Sequence, residues 1–311
     1  MQVSFIIPLF NNLALTQGCL ASLQATLPSG LGHEILLVDD GSTDGTREWL
    51  ATLHPPFRVI LNERNLGYAV ANNRAAALAR GEFLAFLNND LVLLPGWFEP
   101  LLAAHRALGP RAGAIGNVQL DARSGAIDHA GMIVNLKGKP EHDRALPSRL
   151  SRFFTPVRPV PAVTGACLLL ARALWQQLGG FDEAYLNGGE DVDLCFRARA
   201  AGRVNAVALR SVVRHHVSAS PGRKRRDEEN SRRLARRWRR EFVADAARGW
   251  CHDFILRTFD APRHYDWITV TQAACYAWHL TGTPPRCATA ALESALDGEF
   301  ARWDEMLGQG G

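Results

Sequence analysis

Four short, largely apolar runs separated by helix-like segments occupy the first ninety residues of this 311-residue chain. VSFIIPL (Val3–Leu9) is followed by HEILLVDD, FRVILN and EFLAFLN. Runs that are apolar at nearly every position, rather than at alternate ones, belong to strands buried on both faces. Between them lie LALTQGCLASLQATL, GSTDGTREWLATL and the Ala-rich GYAVANNRAAALAR. Such alternation predicts an α/β fold, a Rossmann-like, mostly parallel sheet flanked by helices, with ligands beyond the C-terminal ends of the strands. Asp39, Asp40 and Asp90 all fall at such ends. The reading also places caps: Asn11-Asn12 for the first helix, Ser42, Thr43 and Asp44 for the second, and Gly81 as a left-handed stop for the third.

The middle of the chain is less regular. LKGKPEHDRALPSRLSRFFTPVRPVPAV carries five prolines and reads as a long surface loop. TGACLLLARALWQQLGGFDEAYLNGGEDVDLCFRARAAG then reads as strand, helix, Gly-rich turn and a helix that opens on carboxylates. Beyond about residue 245 the pattern is helical and carries no chemical motif. No apolar run approaches the ~18 residues of a membrane-spanning helix. The N-terminus has neither the basic start nor the small-residue cleavage site of a secretory signal. Six scattered cysteines without a CxxC pair argue against a zinc site and fit reduced cytosolic thiols. The expected location is therefore cytoplasmic, with room for a peripheral place at the inner membrane face.

Charge is uneven. The segment Arg223–Glu241 holds ten basic and four acidic residues, a net of +6, so the remainder carries −2 of the overall +4. RKRR alone reads as a nucleic-acid patch. Leu234, Trp238 and Phe242, spaced i, i+4, i+8, make the same segment an amphipathic helix with a solvated arginine face. A diphosphate or an anionic membrane surface along Arg223–Arg240 is the other partner for that charge. The apolar stripe and surrounding acids weigh against nucleic acid.

Each remaining motif has an ordinary reading of its own. VDDGSTDGT makes a good strand-to-helix turn, and Asn88-Asn89-Asp90 suits a plain turn. Glu190, Asp191 and Asp193 at a helix start interact well with its dipole. Three acids crowded after Gly188-Gly189 also repel one another, which raises a pKa and suits a general base. His215-His216 end a strand-like run and could simply be solvated.

Taken in order along residues 3–240, these motifs resemble the family 2 glycosyltransferases, which have the GT-A fold and invert the anomeric centre. The stretches that carry the resemblance are VSFIIPLFNN, EILLVDDGSTDGT, NERNLGYAVANNRAAALARGEFLAFLNND, GEDVDLCFRARAAG, HHVSASPG and NSRRLARRW. LNND and GEDVDLC look like the branch that contains many rhamnosyltransferases and other cell-surface polysaccharide enzymes. The resemblance implies a GT-A domain over residues 1–245 and leaves 246–311 as a helical extension.

It also implies roles. Phe10, beside Pro8 and Asn11, would stack on the nucleotide base, and Asp40, with Asp39 next to it, would read that base. Arg64, Asn65 and Gly67 fall in a loop near the donor. Asn88, Asn89 and Asp90 match the DXD motif, whose last acid binds metal, with Asn88 in place of the commoner Asp. Asp191 matches the catalytic base, with Glu190 its neighbour. His215 matches a histidine that completes the metal site, and Trp238 a segment that closes over the donor.

The chemistry so implied is a single displacement from a UDP-, dTDP- or GDP-linked sugar to a hydroxyl of a glycan, lipid-linked or protein acceptor. Mn²⁺ or Mg²⁺ would be the cofactor, the imidazole tilting the choice toward Mn²⁺. The residues leave open a non-catalytic sugar-nucleotide binder or a subunit of a glycosylation complex, and a homodimer built through the C-terminal helices.

Overall fold

The computed structural model describes residues 2–216, 223–260 and 266–308, so the end of the HHVSASPG motif lies outside the described residues. The chain forms two compact units, residues 1–132 with 142–223, and residues 133–141 with 224–311. The expected boundary at residue 245 falls inside a helix of the second unit.

The first unit begins with β1 (Val3–Leu9), α1 (Leu13–Thr26), β2 (His33–Asp39), α2 (Thr46–Leu50), β3 (Phe57–Leu61), α3 (Tyr68–Leu78) and β4 (Phe83–Leu87). The apolar runs are strands because both of their faces are covered: every residue of β4, and six of the seven in β1, are buried. After β4 come β5 (Leu91–Leu93), α4 (Glu99–Leu108), β6 (Ala112–Asp121), β7 (Ile127–His129), β8 (Met132–Val134), β9 (Pro140–His142), α5 (Arg149–Phe154), β10 (Val157–Pro159), β11 (Cys167–Ala171), α6 (Arg172–Leu178), α7 (Glu190–Ala200) and β12 (Val204–His215). One sheet runs in the order β10-β12-β6-β11-β4-β1-β2-β3, with β5 added on β12 and β7 on β6. Along that path β1, β2, β3, β4, β6 and β12 point the same way, and β10 and β11 are reversed. Six strand ends therefore open onto one edge, where Asp39 and His215 close β2 and β12.

Three local expectations change. Asn12 precedes α1 in a left-handed conformation and its side chain makes no cap; the Leu13 N–H donates instead to Asp44 Oδ2 at 3.0 Å. Asp44 also accepts from the Thr46 N–H at 3.2 Å, so one carboxylate serves the starts of two helices. Gly81 is no left-handed stop, because α3 already ends at Leu78 with Ala79 extended. A Cβ at Gly81 would sit 2.5 Å from the Ser4 nitrogen, so glycine is there to let the chain pass β1. The proline-rich stretch, read as loop, folds into β9, α5 and β10, because β9 pairs with β8 and β10 pairs with β12.

The second unit holds most of the β8–β9 hairpin together with α8 (Arg223–Arg237), α9 (Arg239–Asp260), α10 (Trp267–Ala277) and α11 (Arg286–Gly308). Leu234, Trp238 and Phe242 are all buried, as their spacing requires, although the helix breaks at Trp238 between α8 and α9. Several arginines of the basic segment are engaged by carboxylates, among them Arg232 with Asp304 and Arg239 with Asp297. Glu228 accepts from Trp303 Nε1, Arg302 and Lys139, joining α8, α11 and the β8–β9 turn.

Burial opposes charge on Glu228, but the hydrogen bonds from Trp303, Arg302 and Lys139 outweigh it and hold the carboxyl at about 2, down from 4.5. A lowered carboxyl contributes stability that is present above its unfolded value and lost as pH falls through its folded one. Glu228→Gln is therefore expected to destabilise the unit by roughly 2 kcal/mol near neutral pH. Its denaturation midpoint should converge on that of the parent as pH drops from 4.5 to about 2. A gap that stays constant over that window would rule out the charge as its source.

No helix among the described residues is long and apolar enough to cross a membrane. All six cysteines are free thiols.

Candidate active site

Asp90 and His215, far apart in sequence, are brought together by strand pairing. Asn88-Asn89-Asp90 forms the turn from β4 into β5, and β5 pairs antiparallel with the end of β12, so that His215 stands opposite Leu91. The His216 N–H donates to the Asp90 carbonyl at 3.0 Å and fixes the register one residue further. As a result His215 Nε2 lies 3.2 Å from Asp90 Oδ1. The pair lacks the alignment of a hydrogen bond, and Asp90 Oδ1 is buried without another partner.

That arrangement fits two ligands aimed at one hard cation. Octahedral bonds of about 2.1 Å at right angles leave neighbouring ligand atoms roughly 3.0 Å apart. Among the described residues no group of three or more His, Cys, Asp or Glu could hold a metal. A cation here would rest on Asp90 and His215 and take its other ligands from substrate and water. Asn88 is tied by its own N–H to the Ala166 carbonyl at 2.9 Å, and the Asn89 side chain turns back to Thr16 of α1 at 2.9 Å.

The carboxylates arrive on α7. Glu190, 4% exposed, accepts from the Gly188 N–H at 2.7 Å. Asp191 accepts from the Gly165 N–H and the Val192 N–H, each at 2.7 Å. A Cβ on Gly165 would stand 3.0 Å from the Tyr68 hydroxyl and 3.4 Å from the Asp191 Cβ, so glycine is what allows that close approach. The Tyr68 hydroxyl donates to the Gly165 carbonyl at 2.8 Å and closes the same corner. Burial raises both carboxyls, and the Asp191 charge pushes Glu190 further. Two amide donors and His142 partly offset that rise on Asp191. The two carboxyls titrate as a coupled pair, and the amide donors at Asp191 favour the charge there over Glu190. Asp193, the third acid, is fully buried and ion-paired with Arg197 at 2.7 Å, so it organises the helix.

Asn88, Asp90, Glu190, Asp191 and His215 line one cavity of about 440 Å³. Its wall also holds Tyr68, Asn187 and a trio that the sequence did not single out, Asp128, His142 and Arg144. His142 lies 3.7 Å from Asp128, and Arg144 lies 3.5 Å from it. Behind them His129 is fully buried, and burial, followed by the nearby His142, Arg158 and His215, pushes its pKa well down, so it stays neutral.

The residues expected at the donor side sit on neighbouring strand ends, outside the lining of this cavity. Asp40, 4% exposed, accepts from Asn62 Nδ2 at 2.7 Å, from the Leu66 N–H and from the Gly67 N–H at 2.9 Å. It holds the loop of Arg64, Asn65 and Gly67 in place. Asp39 is fully buried and paired with Arg47 at 2.6 Å. Asn11 Oδ1 accepts from the Thr43 N–H at 2.8 Å and links the ends of β1 and β2. Pro8 is half-buried near the end of β1, and the Phe10 ring just beyond it is 46% exposed. Gly67 leads into α3, whose first N–H, from Tyr68, donates to Asn187 Oδ1 at 2.9 Å. This contact joins the donor-side loop to the cavity wall. Trp238 belongs to the second unit, where it is buried with the Arg237 guanidinium over its ring.

Residues 4–176 match the family described as Glycosyl transferase family 2. The chain belongs to that family. Among relatives of this glycosyltransferase chain is the N-acetylglucosaminyl-diphospho-decaprenol L-rhamnosyltransferase of Mycobacterium tuberculosis, 32% identical, the match covering 70% of this chain and 76% of that protein. The O-antigen biosynthesis protein RfbC of Myxococcus xanthus is 35% identical over 70% of this chain, and the match spans only 18% of its length. A protein of Sinorhizobium fredii is 33% identical over 79% of this chain and is likewise matched over only 28% of its own length.

Solved structures show the GT-A fold. GalNAc-T7, crystallised with UDP, GalNAc and Mn²⁺, superposes with a TM-score of 0.62 at 18% identity, covering 78% of this chain and 49% of that one. Staphylococcus aureus TarS 1-349 with UDP-GlcNAc gives 0.60 at 16% identity, covering 100% and 92%.

Proposed function

We propose that this chain is an inverting, metal-dependent glycosyltransferase that moves a sugar from a nucleoside diphosphate to a hydroxyl of a cell-surface glycan or lipid-linked saccharide. One observation carries the reading. Asp90, His215, Glu190 and Asp191, drawn from three distant parts of the sequence, line a single cavity.

In this reading Asp191 is the base. Its ionised carboxylate takes the proton of the acceptor hydroxyl as that oxygen bonds to the anomeric carbon. The bond from that carbon to the diphosphate breaks, and the leaving oxygen keeps the electron pair. Attack opposite the leaving group inverts the centre. Protonated Glu190 adds no second charge to the site, and the Gly165 and Val192 amides orient Asp191. Asp90 and His215 would hold a divalent cation, Mn²⁺ or Mg²⁺, which supplies neutralisation of charge growing on the diphosphate. Phe10 and the loop fixed by Asp40 would receive the nucleotide. The relatives named for rhamnose transfer and O-antigen synthesis favour a deoxyhexose donor and a lipid-linked or polysaccharide acceptor. A catalytically silent binder is disfavoured by the intact carboxylates.

The test is a donor screen. Purified protein is incubated with UDP-, dTDP- and GDP-sugars, with Mn²⁺, with Mg²⁺ and with chelator, and release of nucleoside diphosphate is measured. Turnover of at least one donor is expected, lost with chelator. Nucleotide-sugar binding without turnover for every donor and acceptor tried would overturn the catalytic reading.

A further inference from the structure

The proline-rich stretch between β9 and β10 carries an exposed apolar stripe that no part of the transfer site uses. Leu150, Phe153 and Phe154 are 70%, 65% and 72% exposed. On α5 they stand at i, i+3 and i+4, which is one face of a helix. Three large apolar side chains gathered on one face are a different matter from scattered surface leucines. Beside them a recess of about 320 Å³ is lined by Arg149, Arg152 and Arg210 as well as Phe153. The Arg210 guanidinium lies over the Phe153 ring at 5.1 Å and donates to the Phe153 carbonyl at 2.7 Å. Among the described residues none of these three arginines has a carboxylate partner, and Arg152 Nε is buried without a hydrogen bond. The basic helix α8 differs, since several arginines of its segment are ion-paired.

Apolar tips flanked by unpaired arginines are the chemistry of an anionic membrane interface: the rings enter the acyl boundary and the guanidinium groups meet lipid phosphates. Position agrees. The segment leads into β10, the terminal strand of the sheet, and Arg210 precedes His215 on β12 by five residues, roughly 16 Å along the strand. We infer that α5, with Arg210, is a docking element that seats the first unit on an anionic phospholipid bilayer. The inference is independent of the transfer reaction, because binding is measured without donor or acceptor.

The experiment is sedimentation of the full chain with neutral phosphatidylcholine vesicles, and with vesicles containing about a third phosphatidylglycerol. Binding to the anionic vesicles is expected, weakened by salt, with little to the neutral ones. Phe153→Ser with Phe154→Ser should weaken it at least tenfold. Arg149→Ala with Arg152→Ala should weaken it by about 20- to 30-fold, near fivefold for each charge. Phe153, Phe154 and Arg149 are exposed and Arg152 is half-buried, so circular dichroism and nucleotide-sugar hydrolysis of both variants should match the parent and certify folding. Equal binding to neutral and anionic vesicles, or no binding, would overturn the inference. So would loss of binding in Arg236→Glu with Arg240→Glu while the α5 variants bind normally, or a concentration-dependent dimer that the phenylalanine variant alone abolishes.

Discussion

Asp191→Asn is expected to lower kcat by roughly 10²- to 10⁴-fold, the range that a positioned general base supplies, while donor affinity stays within about twofold. Asn keeps the size of the side chain but has a single acceptor oxygen, so it retains one of the two amide bonds, from Gly165 to Oδ2 or from Val192 to Oδ1. It also loses the ability to take a proton. Calorimetry with the nucleotide sugar and steady-state kinetics separate the two effects, and near-normal turnover would remove Asp191 from its role. The pH profile sharpens the test. Burial raises Asp191 above the ordinary aspartate value of about 3.9. A base works only when ionised, so kcat/KM should fall as pH drops through that raised value. Glu190→Gln should leave this acid limb in place, since Glu190 already holds its proton there. A large shift of the limb in that variant would mean that the two carboxyls exchange roles.

The second large effect belongs to Asp90 and His215, brought together across β5 and β12. Asp90→Ala and His215→Ala are each expected to weaken donor binding in the presence of Mn²⁺ by roughly 10²-fold. In chelator the parent and both variants should bind the donor equally and weakly. Unchanged affinity with Mn²⁺ present would show that the cation, if one binds, sits elsewhere. The 3.2 Å between Asp90 Oδ1 and His215 Nε2 is what makes the two substitutions comparable, since either one alone leaves a single ligand.

Much of this was legible because strand ends announce themselves. Asp39, Asp40 and Asp90 follow apolar runs, and the parallel topology places all such ends on one edge whatever the detailed packing. Asp128, His142 and Arg144 were not legible for a matching reason. They sit on or beside β7 and β9, strands of three residues too short to show a period, and enter the cavity through tertiary contact. Gly81 misled because a glycine after a helix usually ends it, whereas here the constraint comes from β1, nearly eighty residues earlier. The Asn11-Asn12 cap failed similarly, since Asp44, a residue of another loop, does that work. α5 was hidden by the prolines that flank it, Pro147 and Pro156, which signalled loop over a segment that folds as a short helix.

Asp40 has a consequence for anyone wishing to re-engineer the donor. A carboxylate offers about four acceptor positions, and Asn62, Leu66 and Gly67 already make four contacts with this one. Exchanging Asp40 to admit a different base would release the loop that leads into α3, and with it the Tyr68–Asn187 tie to the cavity wall. In the proposed reading, nucleotide preference and the shape of the cavity wall both depend on this one side chain. A redesign that starts from Phe10 or Arg64, both exposed and both placed at the nucleotide by the proposed reading, leaves that frame in place.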